Sequence, residues 1–357
     1  MRRLYSFIVG VLVITGVLFG ASIYMKRSTS STSQSDKLVI YNWGDYIDPE
    51  LITKFTKETG IEIQYETFDS NESMYTKIKQ GGTTYDIAVP SDYMIDKLKK
   101  ENLLNKLDKS KIVGLDNIGK EFLNLGFDKN NDYSIPYFWG TLGIVYNDTM
   151  VDNPPEHWTD LWNPEYANDI MLVDGAREVM GIGLGALGYS LNTKSLPELE
   201  AASQKLAALT PNVKAIVGDE MKGYMINGDA AIGVTFSGEA SEMLDSNEHL
   251  HYVLPSEGSN LWFDNLVIPK TAKHIDEAYA FINFMLRPEN AAQNAEYIGY
   301  STPNNAAKAL LPDSVKDDQA FYPSEDTISH LQVYDNLGQK WLGIDNDLYL
   351  QFKMYRK

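Results

Sequence analysis

The feature that most narrows the possible folds is a strand and helix alternation that begins at Leu38. Leu38-Val39-Ile40-Tyr41 is an apolar run of strand length, and Pro49 to Thr59 follows with Leu51, Ile52 and Phe55 on one helical face. Pro49 suits a first helical turn and Gly60 a C-cap. Ile61 to Tyr65 alternates as a strand, Asn71 to Lys79 reads as a helix, and Tyr85 to Val89 as a strand ended by Pro90. This βαβαβ order predicts an α/β fold with a mostly parallel sheet. Ile170 to Val173 and Ala231 to Thr235 read as strands of a second such unit. Ala272 to Leu286 reads as a long helix with Ile275, Ala278, Ile282 and Met285 facing a core. No internal repeat is evident. At 357 residues the chain exceeds what one hydrophobic core serves, so two packed domains are expected.

Hydrophobic residues at 43% and charged residues at 22% exclude a disordered chain and a polytopic membrane protein. The absence of cysteine removes disulfides, thiolate metal sites, cysteine nucleophiles and a lipidated cysteine. Acidic residues outnumber basic ones by 49 to 31, which opposes binding to phosphate backbones and argues against nucleic acid as a partner. Four of the basic residues (Arg2, Arg3, Lys26, Arg27) fall in the first 27 positions, which hold no acid, leaving a formal −22 on the remainder. That body attracts cations, although on charge alone a solvated acidic surface that maintains solubility is the plainer reading.

Phe7 to Met25 is a mostly apolar run behind Arg2 and Arg3, the layout of an export signal. It is long enough to span a bilayer at ~20 residues, so the segment can serve as a retained anchor. Gly20 and Ser22 are also spaced as a weak cleavage site. Ser28 to Asp36 has no apolar residue to bury and reads as a flexible tether.

In open α/β sheets the ligand crevice lies beyond the carboxyl ends of the strands. There the chain carries Asn42-Trp43-Gly44-Asp45-Tyr46, Pro90-Ser91-Asp92-Tyr93, Asp174-Gly175-Ala176-Arg177-Glu178, Phe236-Ser237-Gly238, Trp262-Phe263-Asp264 and Gly299-Tyr300-Ser301. Several pair a ring with a carboxylate. A ring face attracts an ammonium by ~0.5–2 kcal/mol, and a carboxylate adds a charge-assisted hydrogen bond of ~1.5–3 kcal/mol. Together they suit an elongated aliphatic amine, with rings along its methylenes and acids at its ends. Any one ring could be core, and any one Asp a helix cap; repetition at several strand ends is what carries the reading.

At these residues the sequence resembles the substrate-binding proteins of spermidine/putrescine ABC transporters. The resemblance runs from Leu38 to the C-terminus through YNWGDY (41–46), ETGI (58–61), SNESMY (70–75), YDIAVPSDY (85–93), SIPYFWG (134–140), DGAREV (174–179), LWFDNLVIP (261–269) and GYSTPN (299–304). It implies a two-lobed periplasmic-binding-protein fold of type II, with the ligand cleft between lobes joined by hinge segments. Lobe 1 would comprise 37–140 with 264–303 and lobe 2 141–263 with 304–357, after a signal or anchor segment and tether at 1–36. It further implies a monomeric, non-enzymatic receptor that needs no cofactor or metal, binds a polyamine and delivers it to a membrane permease. By the same resemblance Trp43, Tyr46, Tyr93, Trp262 and Tyr300 would wall the hydrocarbon, with Ser91 near an amine. Glu178 and Asp264 would bind one amine, and Asp45 would bind toward the other end. Gly175 stands where some members have a ligand-binding Asp, with Asp174 beside it. Phe236 replaces a Trp and loses the indole N–H, and Gly44 replaces a polar residue. A further polar contact falls at Gln332 or Tyr334. These departures leave spermidine against putrescine open.

Competing motifs are weaker. Gly183 to Gly188 fits GxGxxG, but lies about ten residues past its strand and reads as a helix with a small-residue packing face. Asp128, Asn130 and Asp132 imitate a calcium loop, yet Tyr133 replaces the required Gly and Trp139 the bidentate Glu. No HExxH or GxSxG occurs, and His249 with His251 reads as a solvated turn. The rival functions are an exported glycoside hydrolase or carbohydrate-binding protein using paired carboxylates, and an adhesion scaffold. A hydrolase would hold one acid protonated near neutrality, whereas a polyamine site is expected to hold none.

Overall fold

The computed structural model describes residues 37–354. The leader and tether readings lie outside the described residues, among which no helix is long and apolar enough to cross a membrane.

The alternation from Leu38 forms as anticipated. Strand β1 (Leu38–Trp43) leads to α1 (Pro49–Thr59), β2 (Ile63–Phe68), α2 (Asn71–Gln80), β3 (Ile87–Ala88) and α3 (Asp92–Lys100). β1 pairs in parallel with both β2 and β3. The start of α1 is fixed by Asp48, whose carboxylate accepts the Glu50 N–H at 2.8 Å, and its end by Gly60 at φ +75°. The apolar face of α1 seats Phe55 between Phe281 and Phe284, with ring centroids at 5.3 Å each. Burying that ring is worth ~2 kcal/mol.

The sequence reading misses the longest strand, β4 (Ser134–Asn147), nearly all of which is buried. Its first half pairs antiparallel with β9 (Leu261–Val267), which also joins β3. Its second half pairs antiparallel with β7 (Ile232–Phe236) and β8 (Leu250–Val253). β5 (Ile170–Val173) lies parallel between β7 and β6 (Val213–Val217). The sheet order is therefore β2-β1-β3-β9-β4-β7-β5-β6, with β8 also on β4. Helices α4 (Ala176–Gly185), α5 (Leu196–Ala207), α6 (Ser237–Ser246), α7 (Ile275–Met285) and α8 (Gln339–Met354) follow, with α4, α5 and α8 packed on one another and α6 on the sheet.

Three buried clusters follow from this order. One gathers Leu38, Phe55, Ile87, Ile135, Phe138 and Phe281 and extends to Ala307, Leu311 and Tyr322. A second gathers Ile144, Leu172, Ile182, Val234 and Phe352. A third, around Val145, Met171, Met225 and Met243, is sulfur-rich.

Gly183 and Gly185 close α4 as packing glycines, as their sequence suggested, while Ala186 to Gly188 form the turn after it. A Cβ on Gly183 would lie 2.8 Å from the Ala202 carbonyl oxygen, so α4 and α5 approach through it. Asp128 is a loop residue whose carboxylate accepts from the Tyr133 N–H and Ser134 hydroxyl, both at 2.8 Å. His249 and His251 both meet the Asp148 carboxylate, at 3.0 and 2.9 Å.

Candidate functional site

A cavity of about 1800 Å³ opens where the strand ends of the two core regions face each other. All twelve side chains singled out from the sequence line it: Trp43, Asp45, Tyr46, Ser91, Tyr93, Asp174, Glu178, Phe236, Trp262, Asp264, Tyr300 and Tyr334. Gln332 is not among its walls; its side chain accepts the Ser190 hydroxyl at 2.9 Å and the Leu191 N–H at 3.1 Å.

Asp264, on β9, is the best-defined polar group. Its carboxylate accepts the Ser91 hydroxyl at 2.6 Å and the Tyr46 phenol at 2.7 Å. Ser91 is itself set by Asn71, which accepts its N–H at 3.1 Å and donates to its hydroxyl at 3.0 Å. Asp264 makes no ion pair among the described residues, and burial pushes its carboxyl up to about 6 against the pull of those two hydrogen bonds.

The rings form a chain beside it. Tyr46 meets Tyr300 edge-on at 5.6 Å, Tyr300 meets Trp262 at 5.1 Å, and Trp262 meets Phe236 at 6.1 Å. Glycines seat two of these rings. A Cβ on Gly140 would lie 2.5 Å from Trp262 Cζ2, and one on Gly238 only 2.0 Å from Tyr300 Cε1. Trp43 stacks obliquely on Phe68 at 4.5 Å, and Tyr93 donates to Glu72 at 3.2 Å. The indole nitrogens of Trp43 and Trp262 and the Tyr334 hydroxyl are buried with no hydrogen-bond partner among the described residues.

Glu178 stands in the first turn of α4, its carboxyl raised by burial. A Cβ on Gly175 would fall 2.1 Å from its Oε2, so the missing family Asp leaves the space into which Glu178 folds. Asp174 does not simply replace that Asp. Its carboxylate already accepts from the Tyr349 phenol and from Lys353 Nζ at 2.6 Å. Burial opposes ionisation there, but Lys353 and Tyr349 outweigh it and hold the carboxyl low. Asp45, exposed at φ +45°, makes no hydrogen bond or ion pair among the described residues.

The strand-end argument passed over several wall residues. Asp92 accepts the Tyr93 and Phe263 N–H groups at 2.6 and 3.1 Å, and burial pushes it up to about 8. Asp345, on α8, is buried and pushed up to about 6 by burial, with Arg177 Nε at 3.8 Å. Arg177 lies over the Tyr334 ring at 4.0 Å. Asp92 sat inside a segment singled out from the sequence; Asp345 is mid-helix and gave no signal. The expectation that this site holds no acid protonated near neutrality is corrected by Asp92, because burial raises its carboxyl to about 8.

Comparison with known proteins agrees with this geometry. Residues 50–323 match the family described as bacterial extracellular solute-binding protein. The spermidine/putrescine-binding periplasmic protein of Salmonella typhimurium is 42% identical over 324 residues, covering 90% of this chain and 93% of that one. Its Escherichia coli counterpart is 41% identical with the same coverage. Among solved structures, the spermidine/putrescine ABC transporter substrate-binding protein PotD from Streptococcus pneumoniae is 70% identical, with a TM-score of 0.84, covering 90% of this chain and all of that one. The architecture is thus the two-lobed α/β fold of periplasmic binding proteins.

Proposed function

Since the chain belongs to the bacterial extracellular solute-binding proteins, we propose that it captures a spermidine- or putrescine-like polyamine outside the cytoplasm and hands it to an ABC transporter permease. The observation that carries this reading is Asp264, a buried carboxylate held by Ser91 and Tyr46 beside the Tyr300 and Trp262 rings, with no cation paired to it among the described residues. An ammonium entering there meets charge and π faces together. Glu178 would take a share of the same amine, and Asp45, unpaired at the rim, the far end.

The lobes of this proposal are 37–140 with 261–333, and 141–260 with 334–354. The boundary is later than residue 303 because Ala307, Leu311 and Tyr322 pack with the first cluster. Lobe closure on the amine is driven by contacts the ligand makes with both lobes at once. We further place the protein at the membrane through its N-terminal segment, as a monomer that performs no chemistry; one chain supplies both walls of the cavity. Burial is the leading cause of each raised carboxyl and raises a hydrolase's acid in the same way, so these shifts do not separate transport from hydrolysis; the binding-protein relatives favour transport.

A thermal-shift panel of putrescine, spermidine, spermine, neutral sugars and amino acids tests the reading. Stabilisation by the amines alone supports it. Stabilisation by sugars and not by amines would reject it.

A further inference from the structure

We propose that Asp345 is a positioning residue that sets the charge at the Glu178 end of the cleft, cancelling the Arg177 guanidinium beside Glu178 so that this end accepts an ammonium group. The proposal rests on the polyamine reading above and adds to it a residue that acts on the amine through another.

An arginine stands inside this cation site. Arg177 and Glu178 are consecutive in the first turn of α4, and both line the cavity together with Tyr334 and Asp345. Neutral groups hold Arg177 in place. It donates to the Leu191 backbone carbonyl at 3.0 Å, to the Asn192 side chain at 2.9 Å and to the Asp335 backbone carbonyl at 3.2 Å, and it lies over the Tyr334 ring at 4.0 Å. None of these removes its charge, and only 11% of the side chain is exposed to water that could screen it. Left alone, that charge opposes any cation brought to Glu178.

Asp345 supplies the opposing charge from a different helix. Asp345, Tyr349 and Lys353 recur at four-residue spacing along one face of α8. Tyr349 and Lys353 hold Asp174, so that carboxylate is already matched within its own pair. Asp345 meets Arg177 instead, with Oδ2 3.8 Å from Nε and only 4% of its side chain exposed. Among the described residues it is the carboxylate within ion-pair distance of Arg177, and its Oδ1 is buried with no hydrogen-bond partner. A buried carboxylate without a hydrogen bond is a poor source of stability; here it balances a charge. Glu178 and Asp345 against Arg177 leave one net negative charge, whereas without Asp345 the balance is zero.

Both neighbours act on Glu178. Burial raises its carboxyl most, Arg177 lowers it, and Glu72 and Asp345 raise it further. Asp92 also feels Arg177 but does not stand in for Asp345. Both oxygens of Asp92 accept backbone N–H groups, and burial pushes it up to about 8, so it carries a proton at neutral pH while Asp345, at about 6, is mostly ionised.

The test is calorimetric titration of the detergent-solubilised full chain with putrescine at pH 7.5, where Asp345 is ionised. Asp345→Asn keeps the shape and removes the charge, and should weaken the Kd about tenfold, the scale of one unit charge ~10 Å away at an effective dielectric of ~20. Arg177→Gln leaves Asp345 uncancelled and should bind putrescine tighter than wild type by a similar factor, and the double variant should return close to the wild-type Kd. These opposite signs separate charge from packing: if the pair only held Tyr334 in place, both single variants would lose affinity and the double variant would not recover. An unchanged Kd in Asp345→Asn, or Arg177→Gln binding no tighter than wild type, overturns the proposal while leaving the polyamine reading intact. Arg177→Gln decides the matter should Asp345→Asn fail to fold. Failure of putrescine and spermidine to bind wild type overturns both.

Discussion

Replacing Asp264 by Asn should weaken amine binding and, without added amine, stabilise the fold. Asp264 is buried, and its carboxyl lies at about 6 instead of the ordinary 3.8. An acid whose pKa is raised by folding holds its proton more tightly in the folded state. The associated penalty is therefore absent below about 4 and fully present above about 6. A displacement of about two units corresponds to ~3 kcal/mol at neutral pH. Asn removes that penalty but must turn its amide N–H₂ toward either Ser91 or Tyr46, which costs about 1–2 kcal/mol for the mismatched hydroxyl. The net gain, about 1–2 kcal/mol, would raise the melting temperature by ~1–3 °C for a chain of this size. In the same variant spermidine loses a charge-assisted contact of ~1.5–3 kcal/mol, a tenfold to hundredfold weaker Kd. Circular dichroism melts at pH 5 and pH 7.5, with calorimetry against spermidine, read both quantities. Wild type should melt higher at pH 5 than the Asp264 contribution allows at pH 7.5, and the variant should lose that part of the difference. A variant that melts lower than wild type at pH 7.5 while keeping full spermidine affinity would refute the argument.

Gly238→Ala should displace Tyr300, whose Cε1 would lie 2.0 Å from the new methyl, and weaken spermidine binding with the circular dichroism spectrum unchanged; unaltered calorimetry would remove Tyr300 from the wall. Trp262→Ala deletes the ring between Tyr300 and Phe236 and should cost about 1–3 kcal/mol of affinity, and an equal Kd would show that the amine does not lie against it. The formal −18 charge should steer a polycation, so the association rate measured by stopped flow should fall as salt rises from 20 to about 300 mM; a salt-independent rate would contradict steering.

The first βαβαβ unit was legible because its signals are local: Pro49 and Gly60 bound α1, and β1 is a short apolar run. Strand β4 was not, because Pro136, Gly140 and Gly143 imitate turn residues. The structure gives each a long-range reason. Pro136 borders a register shift against β9, Gly140 admits Trp262, and Gly143 admits the Tyr252 ring, whose Cζ would be 2.5 Å from a Cβ. Trp43, Ser91, Glu178 and Phe236 were readable because β1, β3, β5 and β7 deliver their carboxyl ends to one crevice, whereas Trp262 and Asp264 lie within antiparallel β9 and Tyr300 follows a helix. What each acid does there was not readable. Lys353 and Tyr349, almost 180 positions away, decide that Asp174 points into an ion pair. Asp92 reads as an ordinary helix-start residue until Phe263 is found donating to it.

β4 also bears on how the two interiors are tied together. It is one continuous thread whose partner changes between Thr141, opposite Leu261, and Leu142, opposite Phe236. Each ladder uses its own residues of that one strand, so the two interiors are joined through the covalent chain at Thr141 and Leu142. The change of partner thus falls on one peptide, between Thr141 and Leu142, with each residue held in its own ladder.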